Sequence, residues 1–221
     1  MVINKGGDYL GLTFNGNTLT GVAVGNTSLK SVYFNDSLVF DSWDTFSFPN
    51  GNDKMSNNNN EYCGFNATGS THYILKNIPY PHFKSFNNDG NDCYTASDIS
   101  GTPYLFLKFP DDFDNSAIIT SIKVTGANNP GTTVSSFAQD GKIYLIKSGT
   151  DPNQNREKYS DFAFDGSTTT FNPISTAVNI RCGGVVFTSK KNTRAKYGNI
   201  TVSFKLPWSK WNAWRQNYNI S

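Results

Sequence analysis

Reactive side chains are scarce in this chain of 221 residues. Histidine occurs only at His72 and His82, and neither stands at a recognisable spacing from cysteine, serine or acid, so a base-activated nucleophile has little raw material. Cys63, Cys93 and Cys182 lack the close pairs of a zinc knuckle, and three thiols make no complete disulfide framework; they read as buried thiols. Asp111, Asp112 and Asp114 lie close together, and paired carboxylates are what glycoside hydrolysis requires. They follow Phe109-Pro110 at the end of an expected strand, where a polar turn is the ordinary explanation. Asp151-Pro-Asn-Gln-Asn155 opens like a calcium loop with oxygen ligands at alternate positions. Arg156 then stands where the turn glycine belongs and Phe162 where a bidentate glutamate should close the site, which excludes a helix–loop–helix calcium site. A structural calcium held by loops at a sandwich edge stays open. With neither a phosphate-cradling glycine loop nor a dinucleotide fingerprint, the expectation is a non-enzymatic protein without a cofactor.

Such a composition must instead build a surface. Hydrophobic residues make up 37% and charged residues 16%, so the polar exterior rests on Asn, Ser, Thr and Gly rather than on ions. Asn occurs 28 times and Glu twice. Asn, Asp and Ser favour turns by bonding their own backbone, while Thr, Tyr, Phe and Val suit a pleated, half-buried surface, so the chain reads as short strands joined by many turns. A net charge of +2 gives no field to hold nucleic acid. The basic run from Lys190 to Lys196 is short and interrupted, as at a solvated hairpin tip. The opening Met-Val-Ile-Asn-Lys-Gly-Gly-Asp lacks the apolar core of a signal peptide, and no stretch approaches the ~20 apolar residues that cross a bilayer. The expectation is a product made in a cytoplasm, with no membrane partner.

The most regular stretch runs from Leu12 to Asp41 and repeats every ten residues: Leu12 to Gly21, Val22 to Ser31, Val32 to Asp41. Apolar residues recur at Leu12/Val22/Val32, Phe14/Val24/Phe34 and Leu19/Leu29/Val39, and turn formers at Asn15-Gly16-Asn17, Gly25-Asn26-Thr27 and Asn35-Asp36-Ser37. Alternation on either side of each turn predicts half-buried strands, and the turn residues supply the positive φ that tight hairpins need. The expectation is a four-stranded meander, with bulges near Gly21 or Ser31 where the apolar parity shifts. So small a sheet has one uncovered face and must lean on the main domain, a symmetry mate or another protein.

Residues 22 to 43, from Val22-Ala-Val-Gly-Asn-Thr-Ser-Leu-Lys-Ser to the closing Phe40-Asp-Ser-Trp43, resemble the short repeats of bacteriophage virion proteins. In those proteins the module precedes a larger tail, baseplate, fibre or head-decoration domain. The resemblance covers about a fifth of the chain and implies a virion structural component, tail-associated or alternatively a capsid-surface head fibre or decoration. It implies other virion proteins as partners, a homo-oligomer in the particle and Phe14, Val24, Phe34 and Trp43 as part of an assembly interface.

Residues 44–206 form the expected main domain. Asp44 to about Ser70 reads as turn-rich, with the run Asn57 to Asn60 as a surface loop. Strands are predicted near 72–76, 104–109, 118–125, 133–137, 142–147, 161–164, 177–181, 184–189 and 199–206. They are short, β-branched and aromatic, and separated by Gly, Pro, Asn and Asp. The fold class is therefore all-β: a small N-terminal β-meander over 1–43, then an antiparallel β-sandwich of jelly-roll character over 44–206. Ile118 to Thr125 resembles a strand of discoidin-like or carbohydrate-binding sandwiches, with Ile118, Ile122 and Val124 as core residues. An alternative function follows, recognition of a bacterial cell-surface glycan by rings on loops, for which Tyr80, His82, Phe83 and Tyr94 are candidates. A depolymerase would need Asp111 or Asp114 to act on such a glycan.

Residues 207–221 differ in kind. Trp208, Trp211, Trp214 and Tyr218 are spaced three, three and four apart, which places four rings on one helical face, with Pro207 or Ser209 to start the helix. Each buried ring is worth roughly 1.5–3 kcal/mol, so the face needs a cover. It either caps an open end of the sandwich or docks on a neighbouring subunit or virion protein.

Overall fold

The computed structural model describes the backbone of residues 2–4, 11–14, 17–18, 22–24, 26–34, 36–48, 54–55, 58–62, 66–69, 94–95, 104–124, 141–148, 154–162, 169–188, 196–197 and 200–220, with side chains in 22–24, 26–33, 36–48, 106–124, 141–148, 154–161, 169–188 and 200–220.

Two antiparallel sheets face each other. One runs in the order Asn66–Gly69, Tyr104–Lys108, Gly184–Thr188, Gly141–Ile146, Arg156–Phe162. The other runs Thr169–Phe171, Ala117–Val124, Ile200–Pro207, Trp43–Phe48, with the short strand Arg181–Cys182 pairing the start of Ala117–Val124. Period-two burial explains the pairing of the faces: in Ile200–Pro207, Ile200, Val202, Phe204 and Leu206 point inward while Thr201, Ser203 and Lys205 do not. Val185 and Phe187 enter the same core from the facing sheet, whereas Val186 joins Phe106 and Ile146 in a second small cluster on that sheet's other side. The fold is thus the expected all-β architecture, a jelly-roll-like β-sandwich with a C-terminal helix.

The chain changes sheets at Cys182-Gly183-Gly184. The Gly183 N–H donates to the Ile146 carbonyl at 2.8 Å, and its own carbonyl accepts from the Phe109 N–H at 2.8 Å, so both polar groups of the corner are satisfied. A Cβ on Gly184 would lie 2.6 Å from the Leu107 carbonyl oxygen and 2.7 Å from Phe106 Cε2, closer than any side chain tolerates. Tyr159 ties the sheets at the far edge. Buried on Arg156–Phe162, it donates its hydroxyl to the Phe171 carbonyl at 3.2 Å, and its own carbonyl accepts from the Ile174 N–H at 2.9 Å.

Several strands lie where alternation placed them. Tyr104–Lys108, Ala117–Val124, Gly141–Ile146, Gly184–Thr188 and Ile200–Pro207 each start or end within one residue of expectation. The strand expected at 161–164 is Arg156–Phe162, and 177–181 resolves into a 3-10 turn, Ser175–Ala177, and the two-residue Arg181–Cys182. Corrections fall in the stretch read as turns. Trp43–Phe48 is a sheet strand that pairs Ile200–Pro207, Asn66–Gly69 is an edge strand that pairs Tyr104–Lys108, and the asparagine run is not a loop, since Asn58–Tyr62 pairs Lys54–Met55. Backbone pairing does not depend on a polar side chain, and a hairpin partner is enough. The segments expected at 72–76 and 133–137 lie outside the described residues.

Candidate functional site: the hairpin array and its seam with the sandwich

The ten-residue repeat folds as successive two-residue hairpins. Val24 pairs Thr27 across Gly25-Asn26, and Phe34 pairs Ser37 across Asn35-Asp36; Thr13 to Phe14 pair Asn17 to Thr18 in the same way. Asp36 takes φ 59°, the left-handed conformation that such turns require. Each turn falls where the turn formers recur. The second and third hairpins share no ladder among the described residues, since Val22–Val24 with Thr27–Leu29 and Ser31–Phe34 with Ser37–Asp41 are separate pairs, whereas Val2–Asn4 adds a third strand beside Gly11–Phe14. The meander is therefore divided at Lys30. The bulge sits one step beyond Ser31, between Val32 and Tyr33, where it brings Val39 and Phe40 into a small core with Val22 and Val32.

This array is fixed to the sandwich at its base. The Ser42 N–H donates to the Lys30 carbonyl at 2.7 Å, and the Ser42 carbonyl accepts from the Trp208 N–H at 2.8 Å. Asp41 accepts from the Ser209 N–H at 3.0 Å and from the Ser209 hydroxyl at 2.5 Å. Lys30 Nζ lies 3.0 Å from both carboxylate oxygens of Asp44 and 5.6 Å from the centroid of the Trp208 ring. The Lys30 side chain is half exposed, so the ion pair contributes about 0–1 kcal/mol, and orientation is its main effect. Beside the seam the Arg181 guanidinium covers the Trp43 ring at 5.4 Å.

The aromatic helix, Trp208–Asn217, turns its rings inward. Trp211 and Trp214 are 4% and 0% exposed and pack with Phe48, Phe109, Phe113 and Phe204. Phe46 stacks on Trp211 with centroids 4.0 Å apart and lies 6.3 Å from Trp208. Trp211 and Trp214 are thereby corrected from an assembly interface to the chain's own core: the helix closes the open end of the sandwich, and that burial supplies the cover the rings require. Trp208 and Tyr218 stay half-buried at its rim. The helix ends at Asn217, and the chain turns away at Asn219, φ 51°, where the Ile220 N–H returns to the Arg215 carbonyl at 2.9 Å.

Of the remaining interface candidates, Val24 is 69% exposed, and Tyr33 on the next hairpin is 58% exposed. Trp43 is half-buried under Arg181. The side chains of Phe14 and Phe34, and those of Tyr80, His82, Phe83 and Tyr94, lie outside the described residues, as do His72, Cys63 and Cys93. Lys30, Asp41 and Asp44 were not foreseen, and Ser209 was expected only to start the helix. Their partners stand 14 and 168 residues away, so no local pattern marks them.

The clustered aspartates have structural partners. They belong to a 3-10 turn, Asp111–Phe113, that ends on Asp114 at φ 48°. Asp111 meets Lys108 at 2.5 Å, Asp112 accepts from the Asn217 amide at 2.7 Å, and Asp114 lies 3.4 Å from Lys210. The turn is thus laced to the C-terminal helix, and burial followed by the charges of Asp112 and Asp111 raises the Tyr218 phenol above its ordinary range. Among the described residues no three of His, Cys, Asp and Glu gather as metal ligands. Asn155, the last residue of the calcium-like stretch, takes φ 50° and gives its carbonyl to the Lys147 N–H at 2.8 Å. Cys182 is a buried thiol whose pKa burial pushes up to about 12, against a smaller lowering by a hydrogen bond with the Gly184 backbone. No helix among the described residues is long and apolar enough to cross a membrane.

No protein-family model matches the chain, and no curated protein matches it. Among solved structures it is similar to the crystal structure of the F5/8 type C domain of a Bacteroides fragilis protein, at 10% identity and a TM-score of 0.42 over 66% of this chain and 97% of that one.

Proposed function

We propose that this protein is a non-enzymatic structural component of a bacteriophage particle, tail-associated at a baseplate, collar or fibre. In this role the hairpin array docks on neighbouring virion proteins while the sandwich faces outward or fills a joint and can contact the host surface. One observation carries the reading: an in-register array of hairpins, fixed at its base by Asp41, Ser42 and Lys30, leaves Val24 and Tyr33 in water. Apolar groups held out on a rigid support suit docking, because little conformational freedom is lost when a partner covers them.

The test is mass spectrometry of gradient-purified virions from a phage that encodes this chain. The polypeptide is expected in the particle at the low copy number of a tail component. Tens to hundreds of copies would move it to the capsid surface as a head fibre or decoration, and its absence from particles would end the proposal.

A further inference from the structure

We infer that Asp41 is the N-cap of the C-terminal helix, supplied from the far end of the chain, and that this cap joins the hairpin array and the helix into one cooperative unit.

A helix begins with four backbone N–H groups that lack helical acceptors. Here the position before the first turn is Pro207, with φ −55° and ψ 134°, whose side chain caps nothing, and the first turn holds no acid of its own. Two of the orphan donors are taken by the hairpin array instead: Trp208 N–H by the Ser42 carbonyl, and Ser209 N–H by the Asp41 carboxylate. A carboxylate oxygen on the N–H of the second helical residue is the geometry of an N-cap, and its charge faces the positive end of the helix dipole. Ser209, a candidate to start the helix, is instead the residue that receives the cap.

Asp41 is also structural on its own side. It pairs Ser31 at the base of the third hairpin, one residue from Phe40, which fills the array's small core. Lys30, at the junction of two hairpins, is held by the Ser42 N–H and by Asp44. An opening of the array therefore removes two acceptors from the helix, and an opening of the helix removes two donors from the array. Coupling of this kind is reciprocal. It does not depend on where the protein acts, so it can fail or hold independently of the virion reading.

Native-state hydrogen exchange on the full chain, read by peptide mass spectrometry, tests it. For Asp41→Ala the exchange of peptides covering 208–214 and 22–40 is expected to rise together, about fivefold or more, while Gly141–Ile146 keeps its protection. Asp41→Asn, which retains an acceptor for the Ser209 N–H, should give a clearly smaller rise. Ser209→Ala removes only the hydroxyl bond and serves if Asp41→Ala does not fold; it is expected to loosen the hairpin peptides although it lies in the helix. Unchanged hairpin exchange in Ser209→Ala, or a rise confined to one of the two elements in Asp41→Ala, overturns the inference.

Discussion

Replacing Trp214 by phenylalanine should cost far less than replacing it by alanine, because the indole N–H is the unsatisfied group at the centre of the core. Trp214 is 0% exposed and its Nε1 meets no hydrogen-bond acceptor among the described residues. Its ring stands edge-on to Phe113 at 5.6 Å and to Phe48 at 5.1 Å, and 5.1 Å from Trp211. Truncation to alanine empties that space and should cost about 3–5 kcal/mol, or roughly 6–20 °C in Tm at about 2–4 °C per kcal/mol for a chain of this size. Phenylalanine keeps a six-membered ring in the cluster. It gives up about 1–1.5 kcal/mol of burial and about 1 kcal/mol for the gap, and it recovers about 1–3 kcal/mol by removing a buried donor without a partner. The net lies between about 1.5 kcal/mol of loss and 1 kcal/mol of gain. Urea unfolding followed by far-ultraviolet circular dichroism measures it, with an unchanged m-value confirming a comparable transition. If Trp214→Phe were as damaging as Trp214→Ala, the N–H would have an acceptor and the argument would be wrong.

Three further outcomes follow from the sheet crossing and the buried hydroxyl and thiol. Gly184→Ala should destabilise by about 1–3 kcal/mol or more, because its Cβ meets the fixed Leu107 carbonyl. Gly183→Ala should cost less, since its Cβ meets the end of the Asn115 side chain, which can turn away; equal losses in thermal melts would refute the distinction. Tyr159→Phe removes the hydroxyl bond to the Phe171 carbonyl and should cost about 0.5–1.5 kcal/mol, with no change in the cost between pH 5 and 8. The Cys182 thiol, raised from 9.0 to about 12, contributes its stability in full below pH 9 and loses it as pH climbs toward 12. Urea midpoints should fall across that window, less steeply in Cys182→Ala; Tyr159, raised in the same direction, keeps the slope from vanishing. Identical slopes in the two proteins would sink this reading.

Alternation made the central strands legible, since Ile122, Val124, Val202 and Phe204 each satisfy a period of two and line the core; Ile118 does not join them, because the register irregularity between Ile119 and Ser121 puts Ile119 in the core in its place. Recurring turn formers likewise located the hairpins to the residue. Trp43–Phe48 was hidden because Trp-Asp-Thr-Phe-Ser-Phe precedes Pro49-Asn-Gly and looks like the approach to a turn. Its strand state is set by Ile200–Pro207, more than 150 positions along the chain, and no local signal reports such a partner. The aromatic helix was legible as a helix and as an apolar face. What covered it was not, because burial in its own sandwich and burial in a neighbour require the same sequence.

The seam is hidden in the sequence because Ser209 stands where a local cap would be read, whereas the helix starts at Trp208 behind Pro207, which caps nothing, and holds no acid in its first turn. Natural sequences keep their local choices consistent with the global fold, so a missing local cap implies a distant one. Asp41 is placed to serve: it lies at a strand end immediately before the serine and tryptophan that enter the sheet, and the strand that follows pairs Trp43 with Pro207. Register then leaves little freedom. Once Trp43 stands opposite Pro207, Ser42 and Asp41 must pass the first turn of the helix, and the third hairpin, whose base pairs Ser31 with Asp41, is tied to the sandwich by hydrogen bonds instead of by a loose tether.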